Sequence, residues 1–164
     1  MNKFKSLLLD TNVWIDNYFP HRKNHDAACK FIDNAIRLEC NIFYAIGSLK
    51  DIFYLSDKYF KYEVRKVKGE LNEDDAAAAN EMAWGIIRNM NSIATGIAID
   101  TTDIYLADKM KNIHSDFEDN LVLAAASRAS VDLLVTQDKQ LINHGTCLAK
   151  NINDALEIIS LLKQ

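Results

Sequence analysis

The sequence predicts an α/β domain whose central parallel sheet is flanked by helices. Three observations carry this. Short apolar runs alternate along the chain with stretches of helical periodicity. Two of those runs, at residues 6–9 and 131–135, are close to continuously apolar, as strands covered on both faces are. The chain has 164 residues, 49% hydrophobic and 26% charged, which fits one domain around one sizeable core.

The first strand, Ser-Leu-Leu-Leu at 6–9, stops at Asp10-Thr11-Asn12, polar residues suited to a strand end or a helix cap. The chain turns apolar again from Val13 to about Asn17, then Pro20 and the polar residues 21–26 interrupt it. A helix follows, with Ala27, Phe31, Ala35 and Leu38 on one face. Residues 40–45 read as a second strand, Gly47 as a turn, and Ser48-Leu49-Lys50-Asp51 as a capping box opening a long helix. In that helix Phe53, Phe60, Val64, Val67 and Leu71 recur at near-heptad spacing, and Gly69 weakens its end. Asn72 caps the next helix, whose first turn carries Glu73, Asp74 and Asp75 and which runs to about Met90. A short strand is expected at 97–99. Ser115-Asp116-Phe117-Glu118 reads as a second capping box, opening a helix through Leu121, Leu123, Ala124 and Ala125. The strand at 131–135 ends at Thr136-Gln137-Asp138. A last short strand at 147–149 precedes a helix capped by Asn151 or Asn153 and carrying Leu156, Ile158, Ile159 and Leu162.

The bulk properties narrow the function. No signal-peptide core and no membrane-length apolar segment is present, so a cytoplasmic protein is expected. Cys29, Cys40 and Cys147 are odd in number and widely spaced, which suggests neither a disulfide framework nor a zinc ribbon. A net charge of −4 argues against nucleic-acid binding through a basic surface all over.

The acids carry the chemistry. Ligands of an open parallel sheet gather beyond the carboxyl ends of its strands, and Asp10 and Asp138 each follow a strongly apolar strand. Asp51 and Asp119 fall in the first turns of helices that begin on the same edge. Four carboxylates converging there would repel one another unless hard cations neutralised them, and Mg²⁺ or Mn²⁺ suits an all-oxygen site better than zinc does. Such ions make phosphodiester hydrolysis the natural reaction. Each acid also has a plain structural account: Asp10 as a turn or cap, Asp51 as the last residue of the Ser48 box, Asp138 as a turn after a strand. Asp116 complements the dipole of the helix carrying Asp119 and shares a face with it, while Glu118 is read as pointing elsewhere. Alternation sends Thr136 to the same side as Asp138.

In order and spacing, Leu-Leu-Asp10-Thr11-Asn12-Val13, Ser48-x-x-Asp51, Asp116-Phe117-Glu118-Asp119 and Val135-Thr136-Gln137-Asp138 resemble the motifs of the PIN-domain ribonucleases, over residues 6 to about 162. The resemblance implies a PIN-like α/β/α sandwich and an acidic Mg²⁺ or Mn²⁺ site that hydrolyses RNA. It assigns the catalytic and metal-binding acids to Asp10, Asp51, Asp119 and Asp138, with Asn12 and Thr136 arranging them and Asp116 assisting through water. It further implies the toxin of a toxin-antitoxin pair, with an antitoxin partner and a homodimer. Two positions depart from the pattern: the second acid is commonly Glu, and Asn120 stands where a small residue is usual. The stretch from about 57 to 95 exceeds that of compact members and reads as an extended helical arm or insertion within one domain, 1–164.

Lys58, Lys61, Arg65 and Lys68 recur every three or four residues, interleaved with Tyr59, Phe60 and Tyr62, and form a candidate RNA-contacting stripe or simply a solvated helix face. His21 and His25 have zinc-ligand spacing but lie in a polar stretch with no third ligand nearby. Two other functions compete. A receiver-like signalling module needs a lysine ending a late strand, where this chain has Thr136-Gln137-Asp138. A degenerate PIN domain that binds RNA or protein without cleaving it is the alternative to the nuclease.

Overall fold

A computed structural model describes residues 5–112, 114–144 and 147–161. Five parallel strands, β1 (Ser6–Leu9), β2 (Asn41–Ala45), β3 (Thr95–Ile97), β4 (Leu133–Val135) and β5 (Ala149–Lys150), lie in the order β3-β2-β1-β4-β5. The intervening helices are α1 (Thr11–Tyr18), α2 (His25–Arg37), α3 (Ser48–Lys68), α4 (Glu73–Ile93), α5 (Thr101–Lys109), α6 (Phe117–Arg128), α7 (Lys139–His144) and α8 (Ile152–Leu161). Together they form the three-layer α/β/α arrangement that the alternation of strands and helices predicts.

The strands are apolar throughout because both faces are covered. Leu7, Leu9, Leu133 and Val135 face a core built with Trp14, Phe31, Ile52, Met90 and Ile152, from α1, α2, α3, α4 and α8. Leu8 and Leu134 face the opposite core, with Val122, Leu123 and Ala126 of α6 and Leu141 of α7. Successive side chains of a strand point to opposite faces, which assigns them in turn to the two layers.

Register is pinned at both ends of the β1–β4 pair. Leu7, Leu8 and Leu9 lie opposite Leu133, Leu134 and Val135. Before the strands, the Asp132 carboxylate accepts hydrogen bonds from the N–H groups of Lys5 and Ser6 and from the Ser6 hydroxyl, at 2.8–2.9 Å. After them, the Asp10 N–H donates to Val135 O at 3.0 Å. The sheet order leaves β2 and β3 on one side of β1 and β4 and β5 on the other, so the crevice beyond the carboxyl ends opens between β1 and β4.

Several local expectations need correction. Helix α3 begins without a capping box: Gly47 precedes it in right-handed helical geometry, no side chain caps it, and Ser48 is buried. The backbone closes that turn itself, through Leu49 N–H to Ile46 O. At α6 the cap is Asp116 rather than Ser115, because its carboxylate reaches two free N–H groups, those of Glu118 and Asp119. Strand β3 lies two residues earlier than expected, with Gly96 opposite Tyr44; a Cβ there would come within 2.8 Å of Ile46 Cγ1. The apolar stretch after Asp10 is a helix, α1, and short helices α5 and α7 fall where none was foreseen. Val67 is exposed instead of packed. Gly69 in left-handed geometry ends α3, and Asn72 caps α4 as expected. Leu162 lies outside the described residues. No helix among them is long and apolar enough to cross a membrane.

Because Asp132 ties the N–H groups of Lys5 and Ser6 and the Ser6 hydroxyl to the start of β4, Asp132→Ala is expected to cost about 2 kcal/mol. Urea denaturation followed by circular dichroism checks this.

Candidate acidic site

Asp10 is the last residue before α1 and serves two neighbours at once. One carboxylate oxygen accepts the Thr11 N–H at 2.7 Å; the other accepts the Thr136 hydroxyl at 2.8 Å. Thr136 is buried immediately after β4 and its hydroxyl oxygen also accepts the Asp138 N–H at 3.1 Å. Burial pushes the Asp10 carboxyl above its ordinary value, against the Thr136 and Thr11 hydrogen bonds and with the charge of Asp138.

Around Asp10 the fold gathers Asp51 from α3 and Asp116, Glu118 and Asp119 from the start of α6. All five carboxyls line one cavity of about 370 Å³, with Asn12 on its wall, and none of the described lining residues is a lysine or arginine. Glu118 therefore faces the site, contrary to its sequence reading. Since Asp116 takes over the capping, Glu118 has no box to complete. Its carboxyl hydrogen-bonds that of Asp51, and burial, followed by the charges of Asp51, Asp116 and Asp119, raises its pKa. The capping account of Asp51 falls with the Ser48 box.

Asp119 is pushed up to about 6, first by burial and then, against the effect of His114, by the charges of Asp10, Asp116 and Asp138. Asp138 moves the other way. Burial would raise it, but the N–H groups of Leu141 and Gln140 at the start of α7, together with His114, hold it below its ordinary value.

His114, which sequence reasoning missed, links these acids. Its Nδ1 accepts the Asp116 N–H at 2.9 Å, so the proton of the neutral ring sits on Nε2. Nε2 lies 3.2 Å from Asp119 Oδ2 and 3.2 Å from Asp138 Oδ2, and its hydrogen bond goes to Asp138. The buried Asn120, the departure noted above, holds this turn by donating its amide to His114 O at 2.8 Å. The only hint in the sequence is a His two residues before a capping Asp, close enough for its ring to accept that residue's N–H.

The predicted basic stripe stays apart from the acids. Lys61 pairs with Asp57 and Lys68 with Asp75, Arg65 is exposed, and Lys58 lines a neighbouring cavity.

Fold and site together define an α/β domain with a carboxylate cluster at the switch point of its sheet. The sequence matches the PIN domain family over residues 6–140, and the chain belongs to that family. Its fold is similar to that of a chain in the crystal structure of VapBC2 from Rickettsia felis bound to a DNA fragment from their promoter. The TM-score is 0.62 at 12% identity, covering 88% of this chain and 97% of that one. A comparison with curated protein sequences finds no significant match.

An oxygen-rich donor set with no cationic side chain in the cavity suits a hard divalent cation. Among the described residues, a ring nitrogen of His114 and one oxygen each of Asp119 and Asp138 lie within 4.8 Å of one another and could hold one, with Asp10 and Asp51 on the adjoining cavity wall; with its proton on Nε2, His114 acts here as a donor instead.

Two predictions follow from the electrostatics. A carboxyl raised on folding stabilises the fold below its unfolded range and loses that contribution as pH rises through its folded value. Without divalent cations, Asp119→Asn should match wild type near about pH 4 and exceed it by roughly 1 kcal/mol at about pH 7, a value discounted for partial exposure and read by denaturation at each pH. In His114→Ala, Asp119 and Asp138 should both titrate at higher pH than in wild type, as followed by ¹³C carboxyl NMR.

Proposed function

We propose that this PIN domain is a divalent-metal-dependent endoribonuclease, with Asp10, Asp51, Asp119 and Asp138 as its catalytic and metal-binding acids and Mg²⁺ or Mn²⁺ as the cation. The observation that carries the reading is a cavity walled by five carboxyls with no lysine or arginine among its described lining residues, three of the five, Asp10, Glu118 and Asp119, being raised in pKa. Such a site lacks positive charge to approach a phosphodiester until a cation enters it. When bound, the cation supplies Lewis-acid chemistry, polarising the phosphoryl group and acidifying a water.

The chain's own residues do the rest. Thr136 fixes one oxygen of Asp10, and the N-terminus of α7 fixes one oxygen of Asp138 while His114 bonds the other. Asp116 holds the first turn of α6, and with it the backbone carrying Asp119 and Glu118, through its capping bonds. Asn12 stands on the cavity wall, where its amide can orient substrate. Lys61, Arg65 and Lys68 contribute a longer-range attraction for RNA along α3.

The family and the fold likeness to a chain of a VapBC2 complex support a toxin held by an antitoxin partner. We extend the family reading to a homodimer. A second reading, a module that binds without cleaving, draws on His114, whose Nε2–H is bonded to Asp138 and lies 3.2 Å from the Asp119 oxygen, both of which a cation would need.

Incubation of a mixed RNA pool with the protein in Mg²⁺, Mn²⁺ or EDTA tests the proposal. Cleavage should appear only with a divalent cation, and Asp10→Asn and Asp119→Asn should each lower it by roughly 100-fold or more, since even residues that merely support metal ligands are worth 10- to 100-fold. Activity that persists in EDTA, or in both variants, sinks it.

A further inference from the structure

A second cavity, of about 360 Å³, adjoins the acidic one, and the two share Asn12 and Leu55. Its character is the reverse: aromatic rings with basic groups at the rim. Phe19 is buried and packs 4.5 Å from Tyr59, and His21 stacks on Tyr59 at 5.0 Å with the ring planes 25° apart. Phe19 and Tyr59 are explained by the packing of α1 against α3. His21 and Tyr62 keep ring surface open to the cavity: His21 is exposed although it also stacks on Phe19 at 6.0 Å, and Tyr62 is 59% exposed. Lys58, also on this wall, has no ion-pair partner among the described residues, whereas Arg22 beside it is held by the buried Asp16 at 2.8 Å.

We propose that this cavity is a nucleobase subsite, in which His21 and Tyr62 stack an unpaired base of the RNA strand next to the scissile phosphate while Lys58 meets the backbone. This rests on the reading of the acidic site given above. Aromatic faces exposed in a preformed cup suit the π-face that every base presents, and only an unpaired base can leave its stack to use them. The contrast in charge fixes the direction of the strand's path. A phosphate enters the acid cavity with its cation, and the next nucleotide passes over Asn12 and Leu55 onto rings beside the Lys58 ammonium. The subsite accordingly selects single-stranded over duplex RNA.

The test uses a short single-stranded RNA that the wild-type protein cuts at one mapped bond in Mn²⁺, and the same strand with an abasic ribose on one or the other side of that bond. One abasic position should raise the wild-type KM roughly 10-fold, in line with the energy of one base stacked on an aromatic side chain. The double variant His21→Ala, Tyr62→Ala should show that higher KM on the normal strand, with no further rise on the abasic one. Its melting temperature should stay at the wild-type value because both side chains are exposed. A double variant with the wild-type KM, or one still sensitive to the abasic ribose, overturns the subsite. So does a variant that keeps its KM for RNA while losing a protein partner, which would make the cup a protein-docking site. If wild type cuts no RNA, the hydrolytic reading fails, and the subsite is judged by anisotropy of the same strand labelled with fluorescein. The double variant must then bind roughly 10-fold more weakly, and equal affinity overturns the proposal.

Discussion

The pairing of β1 with β4 is the constraint on which the site depends. These two strands are separated by more than 120 residues of chain, yet they run side by side at the centre of the sheet, locked by Asp132 at one end and by the Asp10 N–H at the other. One residue of slip would turn Leu8 and Leu134 into the wrong layer and exchange the faces of every neighbour. The same register sets Thr136 against Asp10 at 2.8 Å and carries Asp138 to the edge of the cluster. Apolar packing on both faces thus determines where the carboxylates stand, and the carboxylates contribute little to holding the sheet together.

Their proximity is an electrostatic cost that the fold meets with neutral donors. Asp10 is served by an N–H and a hydroxyl, and Asp138 by two backbone N–H groups and the Nε2–H of His114, from which Asp119 is also 3.2 Å away. Among the described residues lining the cavity there is no lysine or arginine that would neutralise the acids permanently. A neutral donor lessens repulsion while leaving net negative charge, so a divalent cation still gains strongly by entering. The opposed pKa directions of Asp119 and Asp138 reflect this arrangement: both are desolvated, but Asp138 also receives the N-terminus of α7.

Where the sequence reading failed, a local motif was satisfied by a different local partner. Ser48-x-x-Asp51 and Ser115-x-x-Glu118 both have the letters of a capping box. In the first, the backbone closes the turn itself through Leu49 N–H to Ile46 O, and in the second the Asp116 carboxylate accepts the N–H groups of both Glu118 and Asp119 in place of Ser115. Both failures release an acid, Asp51 or Glu118, from a structural duty and turn it to the cavity. Short helices such as α5 and α7 carry too few turns to show periodicity, which is why they went unseen.

By itself, the sequence determined the layered α/β class, the core strands, the ends of α3 and α4 at Gly69 and Asn72, and the positions of Asp10 and Asp138 after apolar runs. These follow from periodicity and from residue preferences acting within a few positions. Only the tertiary structure decided which acids share a cavity, that Glu118 joins them, where the His114 proton points, and that Phe19, His21, Tyr59 and Tyr62 gather beside the acids. Those facts join residues from separate elements, and they depend on side-chain direction and burial, which the sheet order sets and no local pattern encodes.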